Sequence, residues 1–283
     1  SFLYFFKKKK MIVWLASYPK SGNTLLRSML AAYLFSNDGN YFFGLIKNIK
    51  QFPHGGLFMK LGVDIKDHNE TIKNYLRVQE TFNKKNAVQF LKTHSYLFNF
   101  NKQYPFTNFT NSLGVIYIVR DPRNVVSSFA KFRNTTIENA AEFMIKSAGD
   151  GFTWTNTWSD NFKSWKIFKQ YQKYLLVKYE DLIQNPEIVF LEILKFIYKL
   201  NNTKFELDKK KFDNVIKTTS FDAMQKLEKK VGFGEATVDE KTGKRIPFFN
   251  LGPKNNWRES LNSKIRLRLE KAFKKEMEEL GYL

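Results

Sequence analysis

The chain of 283 residues has no cysteine. Disulfides, thiolate metal sites and cysteine nucleophiles are thereby excluded, and a reducing compartment suits such a chain. Long apolar runs are missing as well. No stretch approaches the roughly 20 residues that a membrane-spanning helix needs, so a cytoplasmic location without a membrane span is expected. Histidine is scarce, with three residues. Acidic residues are outnumbered: 27 Asp and Glu stand against 47 Lys and Arg, a formal net charge of +20. Such a charge suits a partner rich in phosphate or sulfate. Yet only nine of the basic residues are Arg, the side chain best shaped to fork a phosphate. The abundant Lys travels with Asn, Ile, Phe and Tyr, residues of AT-rich codons. Composition therefore explains most of the bulk charge, and single basic residues inside motifs carry more meaning than the total.

What is present suffices for a full core. Hydrophobic residues make up 43% of the chain, Phe alone supplying 29, and the length suits one large α/β domain. Residues 1–10 read as an N-terminal extension ahead of a domain spanning 11–283. Lys7–Lys10 followed by Met11–Ala16 superficially resembles the start of a signal peptide, but the apolar run is short and Tyr18-Pro19-Lys20 interrupts it.

The hydrophobic pattern alternates between strand and helix. Met11–Tyr18 reads as a buried strand, followed from Asn23 by helical spacing through Leu25, Leu26, Met29, Leu30 and Tyr33. Further strands are expected at Val88–Thr93, Gly114–Val119 and Tyr174–Lys178. Pro122 and Pro186 suit the first turns of helices that follow. Leu261–Leu280 reads as one long helix. Residues 36–70 and 231–250 are the most irregular, and no repeat is present. Strands separated by helices imply βαβ units and a central parallel sheet flanked by helices, whose ligands bind at the carboxyl ends of the strands.

Chemistry-bearing residues gather at those ends. In Tyr18-Pro19-Lys20-Ser21-Gly22-Asn23-Thr24 a strand stops, a glycine permits a tight turn and a helix starts. The backbone N–H groups of that helix end favour an anion, Lys20 adds charge, and Ser21, Asn23 and Thr24 add donors. A Walker A loop would place the lysine after the glycine, so this is a different cradle. An ordinary helix start capped by Ser21 or Asn23 is the plain alternative. His94 ends the second strand, and Lys92 lies two residues before it, on the same side of an extended chain. His54 and His68 have no comparable context and read as loop residues.

The segment YPKSGNT resembles the 5′-phosphosulfate loop of sulfotransferases that use 3′-phosphoadenosine-5′-phosphosulfate (PAPS), usually YPKSGTTW. VRDPRNVVSSF (Val119–Phe129) resembles the family's 3′-phosphate segment, LKTH (Leu91–His94) the strand end with its catalytic histidine, and YEDL (Tyr179–Leu182) and TSFDAM (Thr219–Met224) its adenosine-binding segments. Gly252–Trp257 resembles the late glycine loop. The matches span about residues 11–260 in the family's order.

The resemblance implies a P-loop-like nucleotide-binding core and sulfuryl transfer from PAPS, leaving PAP, to a hydroxyl of a small alcohol or sugar. It implies His94 as general base, with Lys20 and Lys92 neutralising charge in flight. Lys20, Ser21, Gly22, Asn23 and Thr24 would hold the 5′ end, Arg120 and Ser128 the 3′-phosphate, and Tyr179, Thr219, Phe221 and Gly252 the remainder. No metal is implied. Two positions depart from the family. Leu25 stands where a Trp usually stacks on adenine, and Asn250 and Leu251 stand where Arg and Lys usually precede the late glycine. Lys254, two residues past Gly252, is the expected substitute for the lost charge. Residues 36–80, 133–165 and 231–250 are expected to build the acceptor pocket.

Two other readings stay open on the residues alone. A P-loop-type kinase or nucleotide hydrolase would need a Mg²⁺ carboxylate, for which Asp121 and Asp181 are placed, and a true Walker lysine, which is absent. A basic nucleic-acid-binding protein would interleave basic and aromatic residues on one face; the lysines are instead scattered, so no specific nucleic acid is expected.

Overall fold

The computed structural model describes residues 11–83, 87–147, 154–236, 238, 243–250 and 252–283. The extension 1–10 and Leu251 lie outside the described residues.

Five parallel strands form the central sheet: β1 (Ile12–Ala16), β2 (Lys50–Gln51), β3 (Gln89–Thr93), β4 (Ser112–Val119) and β5 (Tyr174–Lys178). Their order is β2-β3-β1-β4-β5, so the first strand of the chain sits in the middle. Ile12 pairs with Gln89 on one side and with Ser112 on the other. The connections leave β1 in opposite directions, which opens a crevice at its carboxyl end. β2 is too short to announce itself in the sequence. A separate antiparallel hairpin pairs Asn99–Phe100 with Tyr104–Pro105.

The alternation of side chains along β1 explains why it is central. Ile12, Trp14 and Ala16 enter one core, with Leu91, Val115 and Tyr117. Val13 and Leu15 enter the other, with Phe90, Ile116 and Ile118. Every residue of β1 is fully buried, as expected of a strand covered on both faces. The abundant aromatics fill the first core: Trp14 packs within 5.6 Å of Phe52 and 5.1 Å of Phe106, ring centre to ring centre.

Helices α1 (Asn23–Phe35), α2 (Pro122–Phe132) and α4 (Phe221–Val231) line the site, and α3 (Pro186–Asn201) covers the sheet. α2 and α3 carry Pro in their first turns, as the sequence suggests. The stretch Leu261–Leu280 is not one helix. It forms Ser263–Ala272 and Lys274–Glu279, separated at Phe273. Phe273 is buried against Trp158, ring centres 5.0 Å apart. Seating it there, together with Met277 and Leu280, breaks the helical course without Gly or Pro to signal the break. Among the described residues, no helix is long and apolar enough to cross a membrane.

Candidate active site

β1 ends at Ala16, and the chain turns through Lys20 and Gly22, both with positive φ (66° and 99°), before α1 begins. Gly22 itself occupies the N-cap of α1, and no side chain caps the helix. The simple capped-helix alternative is therefore not what forms: the first N–H groups of α1 are left for something else. Glycine is required here twice over. Its φ is left-handed, and a Cβ would stand 2.3 Å from Cδ2 of Tyr179.

The turn borders a cavity of about 510 Å³. Lys20, Gly22, Asn23 and Thr24 line one part of it, Lys92 and His94 another. Arg120, Ser128, Tyr179, Thr219, Phe221 and Gly252 line the rest. Two expected residues stand apart. Ser21 lies beneath the turn, fully buried, with no partner for its Oγ. Lys254 closes the short turn Gly252–Lys254, is exposed, and does not line the cavity. The Asn23 side chain is turned back, donating through Nδ2 to the Leu15 carbonyl at 3.0 Å and to Ser17 Oγ at 3.1 Å.

That bracing serves His94. Its Nδ1 lies 3.0 Å from the Ser17 carbonyl and 3.1 Å from Ser17 Oγ. A carbonyl can only accept, so the bond places the proton on Nδ1 and leaves the Nε2 lone pair free. Asn161 donates through Nδ2 to the His94 carbonyl at 2.8 Å and accepts from the Tyr117 hydroxyl at 2.7 Å. Ser17 and Asn161 thus position the imidazole, and nothing in the sequence marks either of them. Burial, then the Lys92 charge, holds the His94 pKa well below the ordinary imidazole value. The ring is neutral at physiological pH.

Lys20 and Lys92 have no ion-pair partner among the described residues. Burial, followed by neighbouring cations (Arg120 for Lys20, Arg27 for Lys92), pulls each down to about 8 from 10.5. Glu235 opposes both shifts and is the single carboxylate of the cavity wall among the described residues.

Arg120 marks the other end. It is 6% exposed and stacks over the Tyr179 ring at 4.3 Å. Among the described residues it donates only to carbonyls, of Gly252 at 3.2 Å and Lys20 at 3.5 Å, and its buried Nε has no partner. A buried guanidinium without a carboxylate is a site prepared for an anion. The late loop is fastened beside it. Asn255 Nδ2 donates to the Asn124 carbonyl at 2.8 Å, and the Trp257 N–H donates to Asn124 Oδ1 at 2.9 Å. A Cβ on Gly252 would lie 2.0 Å from the Phe221 ring, so loop and ring touch directly.

Asp121, the carboxylate that a kinase would need, is engaged otherwise. It caps α2 and pairs with Arg123 at 2.8 Å. Asp181 does not line the cavity.

A parallel 2-3-1-4-5 sheet with cations at two ends of one crevice defines a nucleotide-binding α/β enzyme. The chain belongs to the sulfotransferase family: the description "Sulfotransferase domain" fits residues 10–281. It is similar to mouse (Mus musculus) sulfotransferase 1B1, 23% identical over 93% of this chain and 81% of that protein. Flavonol 3-sulfotransferase of Flaveria bidentis is 23% identical over 98% and 85%. Rabbit (Oryctolagus cuniculus) amine sulfotransferase is also 23% identical, over 60% of this chain and 56% of that one. In fold it is similar to mouse SULT7A1 complexed with PAP, with TM-score 0.58 and 18% identity over 97% of this chain and 87% of that one. Retinol dehydratase in complex with androsterone and PAP gives 0.57, with 16% identity over 97% and 83%.

Proposed function

We propose that this sulfotransferase takes its sulfuryl group from PAPS and places it on an acceptor hydroxyl, with His94 as general base. The observation that carries the reading is the His94 tautomer. Its proton is committed to the Ser17 carbonyl, which leaves an unprotonated Nε2 in a cavity it shares with two lysines that have no ion-pair partner among the described residues. The residues fit the donor. The uncapped end of α1 with Lys20 suits a 5′-phosphosulfate, and Arg120 with Ser128 suits a 3′-phosphate. Phe221 offers a ring for the base where Leu25 offers none. When bound, PAPS supplies an activated sulfuryl group on an anhydride-like leaving phosphate. The protein's own part is to hold the acceptor hydroxyl, accept its proton at Nε2, and face developing charge with Lys20 and Lys92.

Calorimetry against PAP, adenosine 5′-phosphosulfate, ATP and coenzyme A tests the donor. Strong binding of PAP alone is expected, and equal binding of ATP would count against the reading. Transfer is expected to survive EDTA, because the lysines and the end of α1 supply the positive charge. Activity lost to EDTA and restored by Mg²⁺ would overturn that expectation.

A further inference from the structure

The acceptor side of the cavity carries a polar wall that the transfer chemistry leaves unused. β2 and β3 run parallel with Gln51 opposite Lys92, and side chains in register on neighbouring parallel strands share a face. Gln51 therefore stands beside Lys92, and His94 follows two residues further on. All three line the cavity. Glu235 reaches the same wall from the segment after α4. Its Oε1 accepts from Arg27 NH1 at 2.9 Å, and Arg27 in turn donates through NH2 to the Ile49 carbonyl at 3.0 Å. The carboxylate is thus anchored to α1 through one oxygen. Among the described residues, its Oε2 and the Gln51 carboxamide have no partner within the cavity.

We propose that the acceptor is a neutral polyhydroxylated molecule, a sugar or similar polyol, whose other hydroxyls bind Glu235 and Gln51 while one hydroxyl faces His94. This rests on the sulfuryl-transfer reading above and narrows it. An apolar alcohol seated at His94 would cover the exposed Glu235 and the half-buried Gln51, stripping water from Glu235 Oε2 and the Gln51 carboxamide without replacing its hydrogen bonds, which is costly once polar groups become buried. Sites built to bond a hydroxyl reject analogues that lack it for this reason. Charge narrows the class further. Arg27, Lys92 and Lys20 surround Glu235 electrically: burial would raise its pKa, but these three cations together hold it below the usual carboxylate range. An ammonium group on the acceptor would meet those cations. Neutral hydroxyls bring no such charge.

The test uses the whole chain with PAPS and two acceptor sets. One contains methyl glucoside, methyl galactoside, trehalose and inositol; the other contains 4-nitrophenol, a sterol and a long-chain alcohol. Transfer to at least one polyol is expected, at a kcat/KM at least a hundredfold above any apolar alcohol. Gln51→Ala and Glu235→Gln are each expected to raise KM for that polyol about ten- to a hundredfold, with PAP affinity changed less than twofold. Glu235→Asp should recover part of the loss. PAP bound normally with no polyol accepting, or with apolar alcohols preferred, overturns the proposal. So does a Glu235→Gln variant that loses PAP affinity as steeply as acceptor affinity. Failure of the parent chain to bind PAP would instead overturn the donor reading on which the proposal rests.

Discussion

At the scale of single residues, the cavity leaves charges and lone pairs without partners among the described residues. His94 shows it most directly. Replacing it by Ala should lower kcat by at least a hundredfold while PAP affinity stays within about threefold, since a base acts on the transition state rather than on nucleotide binding. Stopped assays with PAP titrations check this, and a parallel fall of both would make His94 a structural residue. Lys20 and Lys92 give a second prediction. Both have folded-state values of about 8 against 10.5 unperturbed. The cost of their desolvated charge is therefore fully present below pH 8 and gone above 10.5, so their share of stability grows as pH rises through that window. A bound polyanion restores their affinity for protons. PAP binding should take up protons near pH 8.5 and weaken as pH climbs above about 8. Calorimetry in two buffers of different ionisation heat reads the sign, and proton release would contradict it.

Much of this residue-level picture was legible in the sequence. Lys20, Lys92, His94 and Arg120 stand in motifs whose spacing brings them to strand ends. Ser17, Asn161, Gln51 and Glu235 were not legible, because each acts through a partner distant in the chain. Ser17 and His94 are 77 residues apart, and Arg27 and Glu235 are 208 apart. No local pattern encodes such pairs.

At the scale of elements, the turn between β1 and α1 is the most constrained part. Gly22→Ala must place a Cβ into the Tyr179 ring at φ 99°. Strain of this kind costs about 1–3 kcal/mol, and the turn is expected to lose PAP affinity at least tenfold, as a titration would show. The late loop yields a further prediction. Lys254 is exposed and outside the cavity, whereas Lys131, one turn beyond Ser128 on α2, lines it. Lys131→Ala should therefore weaken PAP about three- to tenfold with little effect on adenosine 5′-phosphate, modest because an exposed cation is screened. Lys254→Ala should leave both unchanged. Equal losses for both nucleotides in Lys131→Ala would place that lysine elsewhere. The helix boundaries followed the same rule of legibility. Proline marked the starts of α2 and α3, while the break at Phe273, set by packing on Trp158, carried no local mark.

At the scale of the whole molecule, the parallel sheet flanked by helices was readable from alternating strand and helix patterns, and the order of the strands was not, because it depends on which faces find each other. That order has a consequence during synthesis. β1 is wholly apolar, IVWLA, and buried on both faces. Its partners lie far along the chain: Trp14 bonds Ser112 across 98 residues. At roughly 5–20 residues per second, the central strand emerges and then waits on the order of 5–20 s for β3 and β4 to exist. For that interval a wholly apolar ribbon lacks the strands that flank it in the fold, so the nascent chain depends on whatever shields it, and a ribosome that runs faster through residues 20–110 should give more soluble enzyme than one that pauses there.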